Sequence, residues 1–285
     1  MQKLDIPTER GTVLTGVLFD ETKNADTVVI AITGIHGNFY SNPFYYNIGE
    51  TLNGGGGIDF IYAQTNDAFS EIETYNVKTG EKEICGSWNE RFSYTDDDIY
   101  AYMKYAAENY KHVILAGHSL GANKVIHYLS SHHGKNSPEH FMLLSPANLT
   151  YMTKEVTARE KATIEKFIRY GKGNDVLPFY FIGWVICTAN TAADWLSDIL
   201  NNVHVDEGDF SQAENIIHTG ALVIGTYDNF TCGNPSEFLK NINNHIPTAA
   251  ENKLIFIEKT GHTYQQKEQE IADIILATVQ EWRRG

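Results

Sequence analysis

The chain is poor in cysteine, in basic charge and in long apolar runs, and each shortage closes off a class of function. Its three cysteines, Cys85, Cys187 and Cys232, are odd in number and none stands in a C-x-x-C spacing. That excludes a disulfide framework and a thiolate zinc site, leaving small apolar residues suited to a reducing cytoplasm, where the protein is expected to work. Lys and Arg number 22 against 36 Asp and Glu, a formal net charge of −14. With no basic stretch to displace counterions from phosphates, neither nucleic acid nor an anionic lipid surface is expected as a partner. The longest apolar run, residues 179–187, includes a glycine and falls far short of the roughly 20 residues that span a bilayer. The first ten residues carry no apolar core of a signal peptide. No H-E-x-x-H or comparable ligand spacing occurs, so no metal and no other cofactor is expected.

What is present reads as an α/β protein. Hydrophobic residues make up 42% and charged residues 20% of 285 positions, the balance of a globular protein with one large domain, or one domain carrying an inserted cap. A hairpin is expected over residues 3–19, turning at Glu9-Arg10-Gly11. Residues 26–33 form a nearly unbroken apolar run, as in a strand buried on both faces of a parallel sheet. A helix over 42–52 is expected to stop at Asn53 and four glycines, Gly54 to Gly57. That glycine run follows a helix and precedes a strand, the reverse of a phosphate cradle, and so reads as a helix-ending loop. Residues 68–94 look irregular, with a short hairpin at Lys78-Thr79-Gly80. Thr95 is expected to cap a helix whose Asp96, Asp97 and Asp98 suit its positive end. Strands at 112–116, 141–145, 221–226 and 254–258, and a closing helix at 265–283, continue an alternation that implies a parallel sheet. Between 147 and 217 the alternation fails. Helices at 152–170 and 191–202 flank an aromatic stretch, and the segment reads as a cap inserted into a core formed by 1–146 and 218–285.

The decisive residues are Gly117-His118-Ser119-Leu120-Gly121, a G-x-S-x-G between an apolar strand and a helix. A serine on a sharp strand-to-helix turn has a strained backbone and a projecting hydroxyl, and side chains two residues away on either side would collide with that turn. The helix that follows aims its N-terminal amides at charge developing near the serine. His118 is expected to point away from the nucleophile's target.

On these residues the chain resembles the α/β-hydrolase superfamily, in its serine esterase and lipase-like branch. The resemblance implies an α/β-hydrolase fold: a mostly parallel eight-stranded sheet flanked by helices, with a cap inserted after the sixth strand. The run Gly86-Ser87-Trp88-Asn89-Glu90-Arg91-Phe92, leading into Asp97-Asp98-Ile99, is also similar to a subgroup of poorly characterised members.

A serine hydroxyl needs a base, and the base an orienting acid, in the family order nucleophile, acid, histidine. Asp228 and His262 each follow the carboxyl end of an expected strand, where open α/β sheets build their sites. His262 is expected as general base and acid, and Asp228 as its carboxylate, with Asp206 and Glu207 as rivals. The oxyanion donors are expected to be the backbone N–H of Leu120 and, from the loop after residues 26–33, that of Ile35. Where the family usually shows His-Gly-x, this chain has Thr33-Gly34-Ile35, or His36-Gly37-Asn38 if the register shifts. His36 and Trp184 are expected as substrate contacts, although His36 could equally pack within its loop. The cap aromatics Phe167, Tyr170, Phe179, Tyr180, Phe181, Trp184 and Trp195 divide between core and pocket lining.

The expected function is hydrolysis of a carboxylic ester, a neutral small molecule with an apolar or aryl portion, through an acyl-enzyme intermediate. An amidase, peptidase or thioesterase with the same triad, or a hydrolase-like ligand-binding protein, stands as the alternative. The sequence leaves the oligomeric state open.

Overall fold

The computed structural model describes residues 1–20, 25–40, 42–134 and 136–284. The opening hairpin pairs β1 (Gln2–Pro7) with β2 (Val13–Phe19). Next come β3 (Thr27–Ile32), α1 (Pro43–Gly56) and β4 (Asp59–Ala63). A separate small hairpin joins β5 (Ile72–Tyr75) to β6 (Lys82–Cys85). Then follow α2 (Thr95–Asn109), β7 (His112–His118), α3 (Leu120–Leu129) and β8 (His140–Leu144). Residues between β8 and the next strand carry α4 (Leu149–Thr153), α5 (Ala158–Arg169) and α6 (Ala189–Trp195). The chain closes through β9 (Thr219–Gly225), α7 (Pro235–Asn244), β10 (Lys253–Ile257) and α8 (Glu268–Trp282).

The main sheet has eight strands in the order β1-β2-β4-β3-β7-β8-β9-β10. It is parallel from β4 to β10, and antiparallel where β2 meets β1 and β4. The central strands are apolar except near their ends, as both faces are covered. Val28, Ile30 and Ile32 of β3 pack with side chains of α2, α3 and α7, whereas Val29 and Ala31 face those of α1 and α8. In β7, Leu115 joins the first set while Ile114 and Ala116 join the second. This period-2 division over a layered helix-sheet-helix body fixes which side of the sheet every loop residue approaches.

Four local expectations need correction. The α1 helix runs through Gly54 and Gly55 to Gly56, and only Gly57 takes the left-handed cap conformation, at φ 61°. A Cβ on Gly56 would come 2.6 Å from Leu276 Cδ1 of α8, so the glycines serve helix contact as well as termination. Thr95 lies inside α2 without capping it. Asp97 accepts from the backbone N–H groups of Glu9 and Arg10 and pairs with the Arg10 guanidinium, while buried Asp98 accepts from the Asn66 N–H. These aspartates therefore tie the first hairpin and the loop after β4 to α2, beyond any service to its dipole.

The single helix expected at 152–170 is two, α4 and α5. Asn148 caps the first, and Thr157 with Glu160 forms a capping box on the second. The helix expected at 191–202 is the shorter α6. Among the described residues, no helix is long and apolar enough to cross a membrane.

Candidate active site

Ser119 leaves β7 with φ 57° and ψ −129°, a conformation that non-glycine residues adopt only under tertiary constraint. Its neighbours explain the flanking glycines. A Cβ on Gly117 would meet the Gly121 carbonyl at 2.3 Å, and one on Gly121 would meet the Ile32 carbonyl at the same distance. The turn can thus be this tight, and this close to β3, only where side chains are missing. A Cβ on Gly34 would lie 2.8 Å from Ser119 Cβ, so the loop after β3 runs directly beside the nucleophile's position.

Three segments distant in the chain meet here. His262 Nε2 lies 2.8 Å from Ser119 Oγ, and His262 Nδ1 lies 2.9 Å from Asp228 Oδ2. The carboxylate accepts the Nδ1 proton, which leaves the Nε2 lone pair to receive the serine O–H. The other oxygen of Asp228 accepts from the Phe230 N–H at 2.9 Å, which holds the carboxylate in one orientation. Asp228 is 1% exposed, and the Phe230 ring covers His262 with centroids 4.3 Å apart. Asp206 and Glu207, the rival carboxylates, are exposed in the loop before β9 and are not the group at His262.

Leu120 is the first residue of α3, and its N–H has no intrahelical acceptor. Among the described residues, neither this amide nor that of Ile35 donates to an acceptor. The Gly37 N–H, in contrast, is spent on the Gly34 carbonyl. The Ile35 side chain packs partly buried against an apolar cluster that includes Leu120, Phe181 and Trp195.

His36 and Trp184 touch each other, edge to face, with centroids 5.4 Å apart. His36 has φ 56°, and burial lowers its pKa against an opposing pull from Asp67. The insertion's aromatics separate cleanly. Phe181 and Trp195 are buried core, Phe167 and Phe179 are half-buried, and Tyr170, Tyr180 and Trp184 are exposed. An apolar hollow of about 300 Å³ lies between Leu177, Pro178, Phe179, Tyr180 and Ile186.

Several residues near the site carried no legible role in the sequence. His118, expected to point away, donates from Nε2 to the His262 carbonyl at 2.8 Å. The strand's alternation contained the clue, since His118 shares a face with Ile114 and Ala116. Behind α3, fully buried Lys124 pairs with Asp67 at 3.0 Å and with Glu90. Burial pushes the Glu90 carboxyl up to about 8 despite the pull of Lys124, and pushes the His118 imidazole down to about 3. The next residue, Arg91, pairs with Asp194 of α6, and the Trp88 carbonyl accepts the Thr188 N–H. The run Gly86 to Phe92 therefore ties the segment between β8 and β9 to the start of α2.

A family model described as "Protein of unknown function (DUF1749)" matches residues 15–214. No curated protein matches by sequence. Est1E from Butyrivibrio proteoclasticus is similar in structure, with a TM-score of 0.65, 16% identity and complete coverage of both chains. That protein is also known in a form described as ferulic acid bound to Est1E, which matches with a TM-score of 0.66 and 16% identity over 99% of this chain and 100% of that one. A thermostable carboxyl esterase from Bacillus coagulans matches with a TM-score of 0.72 and 11% identity over 98% of each chain. These likenesses establish the fold as that of the α/β hydrolases.

Proposed function

The chain belongs to the DUF1749 family within the α/β-hydrolase superfamily, and from that premise we propose that it is a serine hydrolase cleaving a carboxylic ester. The observation that carries the reading is the pair of contacts at His262, 2.8 Å to Ser119 Oγ and 2.9 Å to Asp228 Oδ2. His262 takes the hydroxyl proton as Ser119 Oγ bonds to the ester carbonyl carbon. The Leu120 and Ile35 amides receive the oxyanion. On collapse the alkoxide leaves with the proton from His262, giving alcohol and acyl-enzyme. Water, deprotonated by the same imidazole, then releases the acid and restores Ser119.

The substrate we assign is a neutral ester with an apolar or aryl portion. The net charge of −14 and the ferulic acid bound by the Est1E relative both favour it. Three free cysteines suit the cytoplasm as its place of work.

The test is hydrolysis of p-nitrophenyl acetate and butyrate, together with labelling by a small fluorophosphonate. We expect adduct on Ser119, loss of labelling in His262→Ala, and turnover lower by on the order of 10⁴-fold or more in Ser119→Ala. Turnover that survives Ser119→Ala overturns the reading.

A further inference from the structure

We propose that His118, the residue before the nucleophile, is a positioning residue: its Nε2–H tethers the backbone carbonyl of His262 and so holds the base in line with Ser119 and Asp228. This inference rests on the serine-hydrolase reading above and names a device on which that reaction depends.

The loop that carries His262 has an unusual backbone. Lys259, Tyr264 and Gln266 all have positive φ, between 53° and 63°. Such a segment keeps its shape only where the surroundings over-determine it. One restraint is Tyr264, fully buried, whose hydroxyl accepts from Ser145 Oγ at 3.0 Å and donates to the Val223 carbonyl at 3.4 Å. Another is His118, and it acts on the base's own residue.

The His118 ring is 3% exposed and sits among Phe44, Tyr45 and Tyr264, with centroids 4.9, 6.0 and 6.0 Å away, and 5.0 Å from the His262 ring. In such an apolar box a hydrogen bond is strong, and removing the donor leaves a part-buried carbonyl without this partner. The imidazole also stays uncharged here, so it donates this one proton and does not compete with His262 for the serine's. Because β7 alternates, the residue beside the nucleophile faces α1 and α8, the side on which the His262 loop packs. One short turn thereby sets the position of both the nucleophile and its base. A shift of the imidazole by about 1 Å suffices to cost a factor on the order of 100 in rate.

The test compares His118→Phe, which fills the box without a donor, with His118→Gln, whose side-chain amide restores one. Near-UV circular dichroism first establishes that each is folded. Should the Phe variant not fold, His118→Met, flexible and apolar, is read against Gln in the same way. We expect His118→Phe to lower kcat on p-nitrophenyl acetate and the rate of fluorophosphonate labelling by on the order of 100-fold with KM unchanged. The downfield proton resonance of the His262 Nδ1–H to Asp228 bond should broaden or vanish in that variant. His118→Gln should recover most of the rate and the resonance, which a purely space-filling role would not explain. A folded His118→Phe that labels as fast as the natural protein overturns the tether and leaves the hydrolase reading intact. A natural protein that never labels overturns the reading beneath it.

Discussion

At the residue scale, the turn at Ser119 sets the terms for its neighbours. Adding one methyl at Gly121 drives it into the Ile32 carbonyl, a backbone atom that cannot step aside. Gly121→Ala is therefore expected to cost on the order of 2–4 kcal/mol in denaturant unfolding, and to abolish fluorophosphonate labelling in whatever fraction still folds. Gly54 is the internal control. It lies inside α1 with nothing within 4 Å of an added Cβ, so Gly54→Ala should be neutral or stabilising by about 0.5–1 kcal/mol. The tight turn at Ser119 was legible because steric need writes glycine into fixed positions. The reach of His118 to the His262 carbonyl was not, since it spans 144 residues and depends on how a distant loop folds.

At the element scale, burial decides what a charged side chain does. Lys124 of α3, Asp67 after β4 and Glu90 before α2 form a cluster closed from solvent, with Asp98 and Arg10 as the next charges. The folded protein keeps Glu90 protonated up to about 8, whereas an unfolded chain releases that proton near 4.5. Stability owed to this group is consequently lost as pH rises through that window. His118 acts with the opposite sign. Folding lowers its pKa from 6.5 to about 3, so stability is lost as pH falls below 6.5. The Glu90 effect is thus separated from that of His118 between pH 6.5 and 8. Over that interval the natural protein should lose stability relative to Glu90→Gln, read from paired urea melts. The sequence showed these charges but gave no sign of their burial. It did contain the Thr157 and Glu160 capping box that splits α4 from α5, a local signal masked by helical spacing that runs on through residues 154–157.

At the scale of the whole molecule, a parallel sheet between helical layers follows from apolar runs spaced by amphipathic helices, and this was legible, whereas the order of the strands was not. The arrangement of the insertion was not. Its contacts are long-range: Arg91 to Asp194, Trp88 to Thr188 and His36 to Trp184. The cavities of about 640 and 540 Å³, and the hollow of about 300 Å³ beside Leu177, are all lined by other residues than Ser119, Asp228 and His262. The His36–Trp184 contact joins the loop after β3 to the segment between β8 and β9.

That aromatic contact gives the protein an intrinsic optical reporter. A protonated imidazole quenches indole emission, so acidification should dim Trp184 with a midpoint below 6.5, the direction in which burial moves His36. Stopped-flow mixing of Ser119→Ala with a non-reacting ester at low pH should then show emission rising as the two rings part. Trp184→Phe should remove the Trp184 share of each signal, leaving Trp282, stacked on His140 with centroids 4.3 Å apart, to respond to acid as before. The fluorimeter would thus follow the His36–Trp184 contact separately from cleavage of the ester.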